Sequence, residues 1–201
     1  MKDSPHNKRL YRDLEEMEKL KRASDLIDFV SNGEPPNHYI VTYKCKGIIK
    51  NKSNNTFSYS VFHQVEIRLG ANYPTMAPER RFITIPIFHP NVDEEGHICI
   101  GQWNPSLKLE EWVKTIGEMI QYKTYNNGNP LNIEAKKWTE ENKNMFPIDN
   151  RSLINEVKPV KIKEGEHSEQ PQMIIKPSEK SNQQVSRADK IIINEEELNN
   201  E

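Results

Sequence analysis

Apolar side chains recur at helical spacing near the start of the chain, at Leu10, Leu14, Met17 and Leu20, followed by Leu26, Ile27, Phe29 and Val30. Lys8, Arg9, Arg12 and Lys19 lie largely on the other face. The pattern predicts an amphipathic helix over residues 7–31, stopped by Asn32-Gly33 and Pro35-Pro36. The period then falls to two. His38 to Gly47 predicts a strand with Tyr39, Val41, Tyr43 and Cys45 on one apolar face. After a turn-like stretch over Asn51–Asn55, residues Tyr59, Val61, His63, Val65, Ile67 and Leu69 alternate with Ser60, Gln64, Glu66 and Arg68. Gly70-Ala71-Asn72 breaks that strand, and Arg81–Ile85 predicts a third. Three consecutive strands joined by short polar turns predict an antiparallel meander. From Phe88 to Pro105 periodicity disappears, so this stretch, which carries Cys99, is expected to be mostly loop. Helical spacing returns at Leu109, Trp112, Val113, Ile116, Met119 and Ile120. A last helix, from Ile133 to about Asn144, follows the turn-rich Asn126–Pro130.

Composition divides the chain. Its 201 residues can hold one domain of ordinary size with length left over. Beyond about residue 150, Lys, Glu, Gln, Ser and Asn dominate, broken mainly by Met173-Ile174-Ile175 and Ile191-Ile192-Ile193. Residues 1–150 are therefore expected to form the folded domain and 151–201 a disordered polar tail, with the two apolar clusters as candidate docking segments. The net charge of -2, from 28 basic and 30 acidic side chains, offers no electrostatic argument for nucleic acid or a membrane surface. No apolar stretch is long enough to cross a bilayer, and the first thirty residues are too charged for a signal peptide. A cytoplasmic location is expected. In that reducing setting Cys45 and Cys99 are free thiols, and of the two only Cys99 lies in a loop.

Around Cys99 the residues form a recognisable series. Tyr73-Pro74 with Pro78 comes first, then His89-Pro90-Asn91, then Gly96-His97-Ile98-Cys99-Ile100. Trp103-Asn104-Pro105-Ser106-Leu107 and Pro130-Leu131-Asn132 complete it. In order and spacing this series resembles the ubiquitin-conjugating (E2) family. Its YP-x-x-x-P segment, HPN signature, active-site cysteine run, W-S-P-x-L segment and PLN helix entry fall at these positions over about residues 7–148. The resemblance implies the α+β UBC fold: an N-terminal helix, an antiparallel β-meander, an active-site loop and C-terminal helices. It also implies an acyltransferase that needs no cofactor, takes ubiquitin or a ubiquitin-like protein from an E1-like activating enzyme as a thioester on Cys99, and passes it to an amine.

The chemistry explains the residue types. A thiolate is both a good nucleophile and a good leaving group, so transfer between thiols is nearly balanced in energy. By resemblance, Asn91 either stabilises the oxyanion formed when an amine attacks or braces the active-site loop by hydrogen bonds. His89, with Pro90, is expected to fix the turn. His97 is read as a polar residue at the loop edge, with a base or donor beside Cys99 as the sharper alternative. Trp103 is expected to support the loop. Lys8, Arg9 and Arg12 fall where the family's first helix meets its activating enzyme, although a solvated basic face would look the same.

Departures from the family pattern narrow the expectation. Asn129 stands where many members carry the acid that orients and deprotonates an incoming lysine; an amide can orient an amine but cannot take its proton. Gly101 replaces an acid two residues after the cysteine. Thr75 occupies the place where RING-binding members often present a large apolar side chain, so a non-RING ligase or the target itself is the expected further partner. The segment between Cys99 and Trp103 is short, and with the helix end Glu118–Tyr122 it resembles E2-like proteins of bacterial ubiquitination-like operons, which implies a setting in antiviral defence. Two other chemistries fit less well. His89, His97 and Cys99 cluster, but a zinc deaminase needs a paired C-x-x-C that two cysteines cannot supply, so no metal is expected. A cysteine protease would need a histidine base such as His63, which nothing else supports. The remaining alternative is a non-catalytic E2-like module that positions a ubiquitin-like protein.

Overall fold

The computed structural model describes residues 4–51 and 53–155. The first helix, α1 (Pro5–Arg22), begins where Ser4 Oγ accepts from Asn7 N at 3.1 Å and Pro5 supplies a preset φ. It ends nine residues before the predicted stop. Ser24 Oγ accepts from the N–H groups of Leu26 and Ile27 at 3.1 and 3.0 Å, which turns the chain. Leu26 to Val30, read from the pattern as helix, instead leads into strand β1 (Ile27–Gly33), where Ile27 and Phe29 are buried and Val30 is 67% exposed. Two-residue alternation fits 27–30 better than helical spacing does.

Strand β2 (Pro36–Tyr43) pairs with β1, so Pro35 lies in a strand-to-strand turn and Pro36 opens β2; neither follows a helix. The chain then departs into a separate hairpin, β3 (Gly47–Asn51) with β4 (Thr56–Ser60). The long alternating run from Tyr59 to Leu69 is thus two strands. Ser60 Oγ accepts from Phe62 N at 3.2 Å, the chain bends at Val61-Phe62, and β5 (His63–Arg68) returns to pair with β2. Strand β6 (Glu79–Phe82), shorter and earlier than the predicted Arg81–Ile85, pairs with β5. The sheet order is β1-β2-β5-β6, antiparallel throughout.

Helix α2 (Leu109–Ile120) coincides with its predicted periodicity. Lys108 N donates to Glu111 Oε2 at 3.0 Å, closing its first turn. Helix α3 (Ile133–Glu141) starts at Asn132, whose Oδ1 accepts from Ala135 N at 2.9 Å, and a 3₁₀ turn over Lys143–Met145 follows it. Sheet residues Tyr39, Val41, Tyr43, Val65 and Ile67 share one core with Leu10, Met17 and Leu20 of α1 and Leu109, Val113, Ile116 and Ile120 of α2. A second cluster joins Ile48, Phe88, Tyr122, Ala135 and Trp138, fastening α3 to the β3–β4 hairpin. Leu153 is buried in the first core, and Asn155 N donates to Ala23 O at 2.7 Å. No helix of the described residues is long and apolar enough to cross a membrane. Met173–Ile175 and Ile191–Ile193 lie outside the described residues.

Candidate active site

The loop from Phe88 to Trp103 combines a small local hairpin with hydrogen bonds to segments distant in sequence. His89 is fully buried. Its Nδ1 accepts from Asn91 N at 3.0 Å, which leaves Nε2–H to donate to Thr124 O at 3.2 Å. Burial pushes the ring's pKa down to about 3, so His89 is a neutral brace at physiological pH. Pro90 O accepts from Leu131 N at 2.8 Å and Asn132 N at 3.0 Å, tying the loop to the start of α3.

Asn91 is 4% exposed and is engaged on three sides. Its Oδ1 accepts from Asn126 N at 2.7 Å, and its Nδ2 donates to Asn126 O at 2.8 Å. Its own carbonyl accepts from Cys99 N at 2.9 Å. Asn91 therefore links the cysteine to the loop over Asn126–Pro130. Nδ2 carries two hydrogens, and the bond to Asn126 uses one.

Between Asn91 and Cys99 the chain makes a small hairpin, with Val92 bridging Ile98 and Asp93 N donating to His97 O at 3.1 Å. Gly96 sits at φ +91, and a Cβ there would meet Phe82 O at 2.9 Å, so both the turn and the close approach to β6 require glycine. His97 is exposed, and its Nδ1 lies 2.8 Å from Asp93 Oδ2. Burial favours the neutral form of Asp93, but bonds from the His97 ring, His97 N and Glu95 N outweigh it and hold the carboxyl below its usual range. The His97 ring is thus engaged by its own hairpin.

Cys99 is partly exposed and free, whereas Cys45 is fully buried and its thiol is pushed up to about 11 by burial. Asn129 is exposed, in the loop that Asn91 anchors. Trp103 turns away to the YP segment: Nε1 donates to Pro74 O at 2.7 Å, and the ring packs against Tyr73 and Trp112. Among the described residues, no group of three or more His, Cys, Asp or Glu side chains could hold a metal ion.

Lys8, Arg9 and Arg12 of α1 separate. Lys8 and Arg12 are exposed. Arg9 is turned onto the domain itself: Nε donates to Asp13 Oδ2 at 2.8 Å, Nη1 to Pro105 O at 2.7 Å, and Nη2 to Tyr73 OH at 3.0 Å and to Leu107 O. Tyr73 OH also donates to the fully buried Asp13 at 2.6 Å. Sequence reasoning missed Asp13, although an acid among Leu10, Met17 and Leu20 on the apolar face of α1 was a signal.

Comparison with known proteins bears on the family and the fold. The family model described as "Ubiquitin-conjugating enzyme" matches residues 9–152. Ubiquitin-conjugating enzyme E2 T of Danio rerio is 32% identical over 110 residues, covering 44% of this chain and 56% of the relative. Ubiquitin-conjugating enzyme E2 N of Drosophila melanogaster is 33% identical over 96 residues, covering 45% of this chain and 61% of the relative. A Nedd8-conjugating enzyme of Drosophila melanogaster is 32% identical over 83 residues, covering 39% of this chain and 44% of the relative. The chain thus spans about half the length of these relatives. A solved structure titled "Novel Ubiquitin-Conjugating Enzyme" superposes with a TM-score of 0.54 at 23% identity, covering 71% of this chain and 90% of that one, and shares its fold.

Proposed function

As the chain belongs to the ubiquitin-conjugating enzyme family, we propose that it accepts ubiquitin or a ubiquitin-like modifier from an E1-like activating enzyme as a thioester on Cys99 and passes it to an amine. The observation that carries this reading is the bond from Cys99 N to Asn91 O, which holds a partly exposed thiol beside the asparagine while Cys45 stays buried.

The Cys99 thiolate attacks the carbonyl carbon of the E1-bound thioester, and the E1 cysteine leaves as its thiolate. An amine then attacks the carbonyl carbon of the new thioester; the C–N bond forms as the bond to the Cys99 sulfur breaks, and Cys99 leaves as its thiolate. Asn91 keeps the surrounding loops in register and retains one amide hydrogen for the developing oxyanion; a donor of this kind contributes about 3 kcal/mol to the transition state. The Asn129 amide can orient the amine, but the amine's proton must go to solvent or to a group the target brings.

Lys8 and Arg12 are the proposed E1 contacts, because Arg9 is engaged within the domain. A ligase or target would meet the surface around exposed Thr75 and Met76. The short segment from Cys99 to Trp103 supports a bacterial ubiquitination-like system working in a reducing cytoplasm, with antiviral defence as its setting. Adjacent genes for an activating enzyme and a small β-grasp protein would support that assignment.

The test combines the protein with its activating enzyme, ATP and modifier on non-reducing gels. A reductant-sensitive adduct should form, vanish in Cys99→Ala and persist in Cys45→Ala. Cys99→Lys should trap a reductant-resistant conjugate. An adduct that survives Cys99→Ala overturns the assignment of the nucleophile.

A further inference from the structure

A cleft of about 680 Å³ is lined by the β3–β4 hairpin, the active-site hairpin and the start of α3. Its apolar wall is Ile49 of β3 with Ile85, Ile87 and Phe88 of the segment that precedes His89. Ile87 and Phe88 are buried, and the Ile49–Ile87 bridge joins that segment to β3. Phe57 of β4 packs its ring on Phe88 and on Trp138 of α3, which holds the β3–β4 hairpin in place. Ile85, by contrast, is 62% exposed although it shares the cleft with them. A concave apolar wall of this kind, edged by a few charged groups, is the usual form of a binding surface.

The rim is acidic. Asp93 and Glu94 of the active-site hairpin and Glu134 of α3 line the cleft, and Lys50 is the one cation among its described lining residues. Lys50 Nζ lies 2.5 Å from Glu134 and offsets its charge, which leaves the Asp93–Glu94 side negative. His97 meets Asp93 at 2.8 Å but does not line the cleft. This rim adjoins the chemistry. Cys99 N donates to Asn91 O and Val92 bridges Ile98, so Asp93 lies two residues, roughly 7 Å of strand, beyond the Asn91–Cys99 pair. At another edge Asn132 lines the cleft, and its N–H donates to Pro90 O at 3.0 Å. An acceptor lysine arrives as an ammonium, and the Asn129 amide has no charge to attract it. Asp93 and Glu94 supply that negative charge from the cleft.

We propose that the cleft docks a segment of the acceptor protein that combines an apolar side chain with basic residues. The apolar side chain rests on Ile49, Ile85 and Ile87, and the basic residues meet Asp93 and Glu94. A lysine of the same segment then reaches Cys99, because about two or three residues of extended chain cover the distance from Asp93. This role rests on Cys99 as the acyl donor to an amine and adds the class of acceptor that it serves.

The experiment begins with the whole protein alone. The 15N-labelled chain is titrated with an acetylated, amidated peptide holding one isoleucine, two arginines and one lysine. Amide signals of Ser58, Ile85, Ile87, Glu94 and Glu134 should shift. The same peptide with its basic residues changed to glutamate should leave them in place. Ile85→Ser should weaken binding about fivefold or more, and Glu94→Lys about threefold. Both side chains are exposed, so the variants keep the fold. Once Cys99 is charged by the activating enzyme, both variants should lower the ratio of transfer onto the peptide to transfer onto free lysine. The proposal is overturned by the absence of these shifts in wild type, by unchanged affinity in the variants, or by equal shifts with the glutamate peptide. Shifts at the same signals with protein concentration alone would place a second copy in the cleft and overturn it too. Failure of Cys99 as acyl donor is a separate result, read as the absence of an E1-dependent adduct on the wild-type protein, and the titration does not depend on it.

Discussion

The side-chain amide of Asn91 grips the backbone of Asn126 at both ends, accepting from its N–H at 2.7 Å and donating to its carbonyl at 2.8 Å. Residues 35 positions apart are thereby held as one unit, and the loop containing Asn129 takes its position from the segment that carries Cys99. Asn91→Ala leaves two polar backbone groups of Asn126 without this partner, at a cost of about 1–3 kcal/mol. Denaturant unfolding should show that loss, and hydrogen exchange at Asn126 N–H should accelerate. Asn91→Asp keeps the acceptor but sets a carboxylate against the Asn126 carbonyl, so it should protect Asn126 N–H in part and still destabilise. Unchanged exchange at Asn126 in Asn91→Ala would show that the clamp does not order the loop.

The two thiols differ through burial. Cys45 is fully buried with its thiol raised to about 11, and Cys99 is partly exposed. Brief treatment of the folded protein with a thiol reagent at pH 7.5 should label Cys99 and spare Cys45, and both should react in denaturant. Equal labelling of the two in the folded protein would contradict the burial of Cys45.

His89 gives stability a pH dependence of definite sign. Its folded pKa, about 3, lies below the unfolded value near 6.5, so the unfolded chain takes up the proton first as pH falls. The stabilisation is complete above pH 6.5 and is lost progressively between pH 6.5 and 3, at up to about 1.4 kcal/mol per pH unit. Buried His63, also shifted down by burial, adds in the same direction. Unfolding free energies measured from pH 7.5 to 5 should fall in wild type and fall less steeply in His89→Gln, which is less stable at pH 7.5. Parallel slopes in the two proteins would remove His89 as the source.

Asp13 is the hub that Arg9 and Tyr73 share, and Leu109 N adds a bond to its Oδ1 at 3.4 Å. Asp13→Ala leaves the Arg9 guanidinium without its carboxylate and should cost about 3 kcal/mol or more. Lys8→Ala and Arg12→Ala, at exposed positions, should change stability by less than about 0.5 kcal/mol. Thermal and chemical unfolding of the three variants separates the structural role of the Asp13 cluster from a partner-binding role of the exposed bases.

Much of this protein is legible in the chain itself. The spacing of Leu109 to Ile120 specifies α2 to the residue, because a helix is built from contacts three and four positions apart. The series from Tyr73-Pro74 to Pro130-Leu131-Asn132 identifies the family, since loop residues with special backbone geometry leave local signatures. What the chain could not display is pairing at a distance. Leu26 to Val30 carry enough apolar residues for either a helix or a strand, and only the partner β2 decides for β1. Tyr59 to Leu69 read as one alternating run, yet Tyr59 and Ser60 pair with β3 and His63 to Arg68 with β2. The same holds for side chains. Arg9 looks like a free basic residue until Asp13, Tyr73 and the carbonyl of Pro105 surround it, and the second contact of Asn91, at Asn126, exists only once the loop has folded back. Local periodicity depends on near neighbours and is written in sequence; the partners of a buried charge or amide are chosen by desolvation, which acts only when distant segments meet.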